Sequence, residues 1–177
     1  VYDSTAIGIA IGGYDRRRGS TEDSVIVNNT VVNTDGVELL VQFDTRNNVI
    51  ANNVIVAGAR HVFVENDYRA NAGNVLDHNL YFSVDGSSTG TWLWKGVGYE
   101  DFDRWSARSG NDRRSTFADP GFVNAAAHDY SVRAGSPAVD AGAFLAASGS
   151  TDLTGKPRAQ AGGIDLGAIE LAAPPPS

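Results

Sequence analysis

The sequence contains no cysteine, which excludes disulfide bridges and thiolate metal sites. No apolar run is long enough to cross a bilayer as a helix. Basic residues are also few, because 14 lysines and arginines stand against 21 acidic residues, for a net charge of −7. Since nucleic-acid binders are usually basic, this balance argues against a nucleic-acid partner. The 177 residues, of which 42% are hydrophobic, are enough for one folded domain with a sizeable core.

Asparagine recurs beside short β-branched runs at a nearly fixed interval. Three segments align with offsets of 24 and 26 residues: SVIVNNTVV (24–32), NVIANNVIV (48–56) and NVLDHNLYF (74–82). Two columns recur in this alignment, namely Val25, Val49 and Val75, and Asn29, Asn53 and Asn79. A second strand-like run also repeats along the chain: IGIAIGGYD (7–15), VELLVQFD (37–44) and HVFVEND (61–67). Each repeat therefore reads as strand, turn, strand, turn.

This repeat predicts a parallel β-solenoid in which each unit forms one coil. Equivalent residues would stack about 4.8 Å apart, so that the valine column fills the interior. The asparagine column would form an amide ladder at a bend, because asparagine tolerates the left-handed backbone conformation and each amide can donate to its neighbour. The alternative is a β-sandwich with Asn-rich turns. Sandwich strands do not normally repeat one residue at one position, so the repeat favours the solenoid.

Further motifs carry a family resemblance. Besides NNTVVN, NNVIVAG and LDHNLYF, the chain contains FADPGFVNAAAHDYSVRAGSPAVDAG (117–142), followed by DLTGKPRAQAGGIDLGAIE (152–170). Together these segments resemble the right-handed parallel β-helix proteins of the pectate-lyase-like superfamily, and the ending resembles that of many secreted bacterial members. The resemblance implies a secreted or cell-surface bacterial protein that acts on polysaccharide. It is specific for the fold and much less specific for the reaction.

The repeat and the resemblance predict an all-β, right-handed parallel β-helix with a short helix and an irregular C-terminal cap. We expect coils in residues 1–86, and an excursion in 87–116 whose YEDFDRWSARSG segment forms the short helix. Residues 117–171 would form the final coil and cap. The helix and the tail would cover the solenoid end, which otherwise exposes strand edges. Residues 172–177 read as a Pro-rich linker, and the strand-like opening suggests additional N-terminal coils in a longer chain.

Alternation along the second strand of each coil predicts an exposed sheet face. The residues predicted to point inward are Ile9, Ile11, Leu39, Val41, Val62 and Val64. The alternate residues are predicted to point outward and include Glu38, Leu40, Gln42, His61, Phe63 and Glu65. A linear polysaccharide would lie along this face, because both the face and the polymer are extended.

A charged cluster follows each of these strands: YDRRR (14–18), FDTR (43–46) and NDYR (66–69). In a solenoid the aspartates would stack as one column, and so would the arginines; the aspartates are Asp15, Asp44 and Asp67, and the arginines are 16–18, Arg46 and Arg69. Like charges about 5 Å apart repel by roughly 1–3 kcal/mol, so the column needs compensation. The arginines could provide it, or a Ca²⁺ ion held by Asp44 and Asp67. Alternatively, each aspartate simply begins its turn with an Asx bond.

The candidate chemistry is cleavage of a polysaccharide that contains uronate units. β-Elimination needs a cation to neutralise the uronate carboxylate, a base for the C5 proton and an acid for the leaving oxygen. The predicted catalytic residues are His61, Glu65, Tyr68 and Arg69, and the predicted substrate-binding residues are Glu38, Gln42, Arg46, Trp92 and Trp94. Hydrolysis would instead need two carboxylates, chosen from Glu38, Glu65 and Asp67.

Each of these assignments has a structural alternative. His61 could be an ordinary exposed strand residue, Glu65 could belong to turn chemistry, and the two tryptophans could seal the end of the core. Two rival functions follow from these alternatives. One is a non-catalytic glycan-binding or adhesion module, and the other is a structural stalk of a larger cell-surface protein.

Overall fold

The computed structural model describes residues 1–14, 18–160 and 162–171. Three mainly parallel sheets form a β-solenoid of about 3 turns. The largest sheet has the order β1 (Ile7–Ile11), β5 (Val37–Val41), β9 (Val62–Asn66), β12 (Thr89–Trp94) and β13 (Val97–Asp101). The second has the order β14 (Thr116–Phe117), β11 (Leu80–Ser83), β8 (Val54–Ala57) and β4 (Thr30–Val32). The third has the order β10 (Val75–Asp77), β7 (Val49–Ala51) and β3 (Val25–Val27).

Shorter elements complete the fold. They are the parallel pair β2 (Thr21–Glu22) and β6 (Thr45–Arg46), the antiparallel pair β15 (Phe122–Asn124) and β16 (Asp129–Val132), helix α1 (Phe102–Arg108), and two 3₁₀ turns, Ala125–Ala127 and Ala146–Ser148. No helix among the described residues is long and apolar enough to cross a membrane. The structure confirms the predicted all-β parallel β-helix with one short helix. Two predictions concern residues outside the described ranges: the share of Asp15 and arginines 16 and 17 in the charged columns, and the linker at 172–177.

The predicted asparagine ladder is confirmed. The Nδ2 of Asn29 donates to the Oδ1 of Asn53 at 2.9 Å, and the Nδ2 of Asn53 donates to the Oδ1 of Asn79 at 3.0 Å. The ladder ends on Asp112, whose Oδ1 accepts from the Nδ2 of Asn79 at 3.0 Å. A second pair, Asn48 and Asn74, repeats the contact at 2.8 Å in the neighbouring bend. Stacked amides therefore hold successive coils together at two bends.

The valine column is in register as predicted, but its predicted direction is wrong. Val25 pairs with Val49, and Val49 pairs with Val75. However, Val25 is 46% exposed and Val75 is 49% exposed. The following residue of each strand faces the interior instead; these are Ile26, Ile50 and Leu76. Side chains alternate along a strand, so a one-residue error in assigning the inner face moves the whole column to the other side.

The register of β9 also differs from the prediction. Leu39 pairs with Val64, where the sequence alignment had placed Val62. The register of β9 shifts between Val62 and Val64 against β12, because Thr91 pairs with Val62 whereas Trp92 pairs with Val64. Phe63 is therefore an extra residue, as in a β-bulge, and its side chain is fully buried. The predicted outward position of Phe63 is wrong for this reason.

The excursion covers the last coil. Helix α1 begins after Asp101, whose side chain accepts from the backbone N–H of Arg104 at 2.7 Å. Trp105 is fully buried, and its ring packs edge-on against Trp94 at 5.9 Å. Its indole N–H donates to Asp112 at 2.8 Å. The helix therefore closes the end of the interior core, as predicted.

The C-terminal tail lies elsewhere than predicted. It covers the outer face of the four-stranded sheet, where Val54, Val56 and Leu80 pack with Val132 and Leu166 in a second apolar cluster. The prediction that the tail covers the solenoid end is wrong. The physical reason is that outward-facing positions of this sheet are also apolar, so this face needs a cover of its own.

Candidate functional site

The outer face of the five-stranded sheet is one of the uncovered sides of the solenoid. Register places Ala10, Leu40, Glu65, Leu93 and Gly98 in one row across its five strands. All five are half-buried or exposed, whereas the outward residues Val54 and Leu80 of the tail-covered sheet are buried. A Cβ at Gly98 would meet open space within 4 Å. This face is therefore accessible to an extended ligand.

A histidine and a carboxylate pair at the amino end of β9. His61 occupies a turn with φ 50°, and its Nε2 lies 2.9 Å from the Oδ2 of Asp85. The other carboxylate oxygen of Asp85 accepts from the Ser87 amide at 2.9 Å and from the Ser83 hydroxyl at 3.1 Å. The Ser87 amide lowers the pKa of Asp85, with smaller contributions from Ser83 and His61. Asp85 is therefore held as a carboxylate, and Nε2 of His61 donates to it.

A groove lies at the β13 edge of the same sheet. Its volume is about 590 Å³, and its walls come from β12, β13 and α1: Thr91, Val97, Gly98, Tyr99, Glu100, Arg104 and Arg108. The Thr91 amide donates to the His61 carbonyl at 2.7 Å, so the groove begins on the strand next to the histidine. Sequence reasoning missed Asp85, Arg104 and Arg108, because all three lie outside the repeat and belong to no column.

Charged residues also gather at the other end of the same strands. Leu40, Glu65 and Leu93 are neighbours across the sheet, and Gln42, Asp67 and Lys95 follow them two residues later in their own segments. Asp67 and Arg69 lie against the following turn, where a Cβ at Gly96 would be 3.3 Å from Nε of Arg69. Lys95 was missed by sequence reasoning. Its signal is its position directly after β12, which matches that of Asp67 after β9.

The predicted catalytic residues form two groups. His61 precedes β9, Glu65 lies within it, and Tyr68 and Arg69 follow it. Five strand residues span about 16 Å, so His61 and Arg69 cannot act on the same atom of a substrate. Tyr68 packs its ring edge-on against Phe43 at 5.8 Å. The structure therefore brings Tyr68 and Arg69 together and separates both from His61.

Three predicted substrate-binding residues are buried. Glu38 is 1% exposed and accepts from the amides of Thr34 at 2.9 Å and Gly58 at 3.1 Å. Burial raises the pKa of Glu38, and these hydrogen bonds partly offset that effect. Its predicted outward position is wrong. Trp92 is fully buried and Trp94 is 7% exposed, which confirms the alternative that the tryptophans seal the core end.

The predicted columns of charge do not form in the described residues. Leu40 and Glu65 are paired, but Asp44 follows Leu40 by four residues whereas Asp67 follows Glu65 by two. The two aspartates are therefore out of step, and the predicted Asp44–Asp67 stack is wrong. Arg46 is opposite Ala72, so its predicted stack with Arg69 is also wrong.

Arg46 instead takes part in a surface ion-pair network. It pairs with Glu22 at 2.8 Å and with Asp44. Within the described ranges, no group of three or more His, Asp or Glu side chains is arranged to hold a metal ion. The Ca²⁺ site predicted at Asp44 and Asp67 is therefore not supported by any cluster of possible ligands in these ranges.

Comparison with known proteins identifies one curated relative. The chain is 39% identical over 143 residues to the uncharacterized protein YwoF of Bacillus subtilis (strain 168), and the match covers 78% of this chain. It covers 30% of that relative, so the chain spans less than a third of its length. No family model matches the chain. No solved structure matches it either.

Proposed function

We propose that this chain is a carbohydrate-active β-helix protein of the pectate-lyase-like type, secreted or displayed on a bacterial cell surface. It would cleave a uronate-containing polysaccharide by β-elimination on the outer face of its five-stranded sheet. The observation that carries the proposal is the His61–Asp85 pair, 2.9 Å apart, on a sheet whose β13 edge carries a groove of about 590 Å³. An imidazole oriented by a carboxylate is a standard arrangement for a general base.

His61 is the base in this proposal. Because Nε2 donates to Asp85, the lone pair of the imidazole is on Nδ1, which has no hydrogen-bond partner among the described residues. Nδ1 would take the proton from C5 of a uronate unit. The C5 electrons then form the C4=C5 double bond as the C4–O bond breaks, and the leaving oxygen takes up a proton. Water can supply that proton on this open face.

The geometry favours elimination over hydrolysis. Hydrolysis needs two carboxylates on opposite sides of the scissile bond. One predicted partner, Glu38, is buried and bound to backbone amides, so the Glu38–Glu65 pair cannot reach a substrate. Elimination needs only one protein base, for which His61 is the candidate, because water can protonate the leaving oxygen.

The test is an assay on a panel of pectate, alginate, glycosaminoglycan and neutral glycans, with and without Ca²⁺. We expect absorbance from unsaturated uronate ends with at least one acidic glycan. His61→Ala should lower the rate about 100-fold or more, as loss of a general base typically does. His128→Ala is the matched control, because His128 is exposed, stacks on Tyr2 and makes no contact with the His61–Asp85 pair.

Two results would change the assignment. New reducing ends without the absorbance band would indicate hydrolysis, for which Glu65 and Asp67 are the candidate carboxylates. An unchanged rate in His61→Ala would remove this residue from the reaction.

A second candidate is a non-catalytic glycan-binding module. The separation of His61 from Tyr68 and Arg69 along β9 favours it, because the charged groups then line a face without meeting at one point. Retention on a glycan column without turnover of any glycan in the panel would support the binding module over the enzyme.

A further inference from the structure

The groove contains an arginine pair whose charge is not fully neutralised. Arg104 and Arg108 are four residues apart on α1, so their side chains lie on the same face of the helix. Arg104 pairs with Asp101 through Nε at 3.2 Å, which leaves its terminal nitrogens available. No carboxylate among the described residues pairs with Arg108. Like charges at this spacing repel each other on a helix, and a bound anion would relieve this repulsion.

We propose that Arg104 and Arg108 form a carboxylate-binding subsite, which selects a polymer carrying acid groups on several successive units. This inference rests on the proposed function. The subsite differs from the catalytic pair, because His61 precedes β9 whereas the arginines follow β13, two strands further along the sheet. Two strand spacings amount to about 10 Å. The carboxylate bound by the arginines therefore belongs to another sugar unit than the one that loses its C5 proton.

The remaining walls of the groove fit a sugar chain. Gly98 leaves open space on the groove floor, so a ring can approach the backbone closely. Tyr99 packs its ring on Trp105 at 5.6 Å, which fixes the aromatic wall. Glu100 would repel a carboxylate but can accept hydrogens from sugar hydroxyls, and this places the acid group of the ligand on the arginine side of the groove. Guanidinium groups bind carboxylates with paired hydrogen bonds, whereas a neutral sugar offers no such partner.

The primary test is direct binding of polygalacturonate to the full chain by titration calorimetry, with its fully methyl-esterified form as the uncharged probe. The variant is Arg104→Gln with Arg108→Gln, which keeps good helix formers in place. We expect its affinity for the acidic polymer to fall at least tenfold and its weak affinity for the ester to stay unchanged. The charge-matched control, Arg133→Gln with Lys156→Gln on the tail side, should bind as the wild type does.

Kinetics provide the second readout. If the chain cleaves the polymer, the double variant should raise KM about tenfold and change kcat less than twofold, because the subsite does not touch the reacting unit. Unchanged binding and KM in the double variant would overturn the subsite and leave the proposed function standing. Binding that weakens without any turnover in the wild type would support the subsite and overturn the elimination. No binding of either polymer by the wild type would overturn the subsite, whereas the proposed function would fail only if the other acidic glycans of the panel were also left uncleaved.

Discussion

Asn53 shows how one residue type joins successive coils. It is 1% exposed, and its Oδ1 accepts both the backbone N–H and the side-chain Nδ2 of Asn29, each at 2.9 Å. Its own Nδ2 donates to Asn79 and to the carbonyl of Ile26. All the hydrogen-bonding groups of this buried amide are therefore used. The ladder forms because a side-chain amide carries both a donor and an acceptor. Each asparagine can therefore donate to the next coil and accept from the previous one.

We expect Asn53→Ala to lower the free energy of unfolding by about 2–4 kcal/mol, since it removes the hydrogen bonds that this buried amide makes to Asn29, Asn79 and the Ile26 carbonyl. Urea unfolding followed by circular dichroism measures the change. Asn124→Ala is the control, because Asn124 is exposed and makes no side-chain cap bond; it should change stability by less than about 0.5 kcal/mol. Equal effects of the two variants would show that the ladder adds no stability.

At the scale of elements, the C-terminal strap (residues 138–160 and 162–171) is hydrogen-bonded to the coils by the side chains of Asn52, at a bend, and Thr30, at the start of β4. The Nδ2 of Asn52 donates to the Ala143 carbonyl at 2.8 Å, and its Oδ1 accepts from the Ala143 amide at 2.8 Å. The Gly167 amide donates to the Asn52 carbonyl, and the Ala168 amide donates to the Thr30 hydroxyl at 3.0 Å. The strap therefore runs back along the coils it covers.

We predict that Asn52→Gly loosens the strap and leaves the coils folded. Asn52 has φ 57°, a conformation that glycine adopts without strain, so the variant removes only the two side-chain bonds. Hydrogen exchange at Ala143 and nearby strap amides should become faster, while exchange in β8 and β11 should not change. Asn47→Gly is the matched control, because Asn47 has φ 54° and makes only an exposed 3.2 Å bond. Uniformly faster exchange would contradict a separable strap.

The strap also contains a pH-sensitive ion pair. Glu170 pairs with Arg158 at 2.9 Å, and both side chains are almost fully buried. Burial raises the pKa of Glu170 to about 7, and the Asp165 amide and Arg158 only partly oppose this effect. The folded protein therefore holds the Glu170 proton at pH values where the unfolded chain, with a carboxyl pKa near 4.5, has lost it. By linkage, the stabilising contribution is complete below about pH 4.5 and is lost as pH rises through about 7.

The measurement is the difference in unfolding free energy between wild type and Glu170→Gln from pH 4 to pH 8. Because glutamine stays neutral, we expect wild type to lose stability relative to the variant as pH rises across this window. A difference that is constant, or that moves in favour of wild type with rising pH, would contradict the raised pKa.

The elements differ in how well the sequence predicts them. Asn29, Asn53 and Asn79 are aligned by simple spacing, because a bend that repeats must repeat its residue type. The inner face of a three-residue strand is less certain, and Val25 was assigned to the wrong side, since Val25, Ile26 and Val27 are all apolar. The bulge at Phe63 has no sequence signal, because both faces of β9 are apolar there. The path of the strap depends on contacts more than 90 residues apart in the chain.

For the whole molecule, the three solenoid faces have different surroundings. The four-stranded sheet is covered by the tail, the three-stranded sheet exposes Val25 and Val75, and the five-stranded sheet presents polar and charged groups beside a groove. The repeat predicted an exposed third face with Gln42 and Glu65 among its outward residues, but two other residues predicted there, Glu38 and Phe63, are buried. It could not predict Asp85 or the arginines, because these come from segments inserted once between coils. The candidate site therefore combines strands of the repeat with residues from segments that occur only once in the chain.

A crystal structure of His61→Ala with an oligogalacturonate tests the central claim most directly. We predict that the oligosaccharide lies across β9, β12 and β13, with C5 of one unit facing position 61 and the carboxylate of another unit against Arg104 and Arg108. An oligosaccharide bound on another face, or none bound at saturating concentration, would contradict the account.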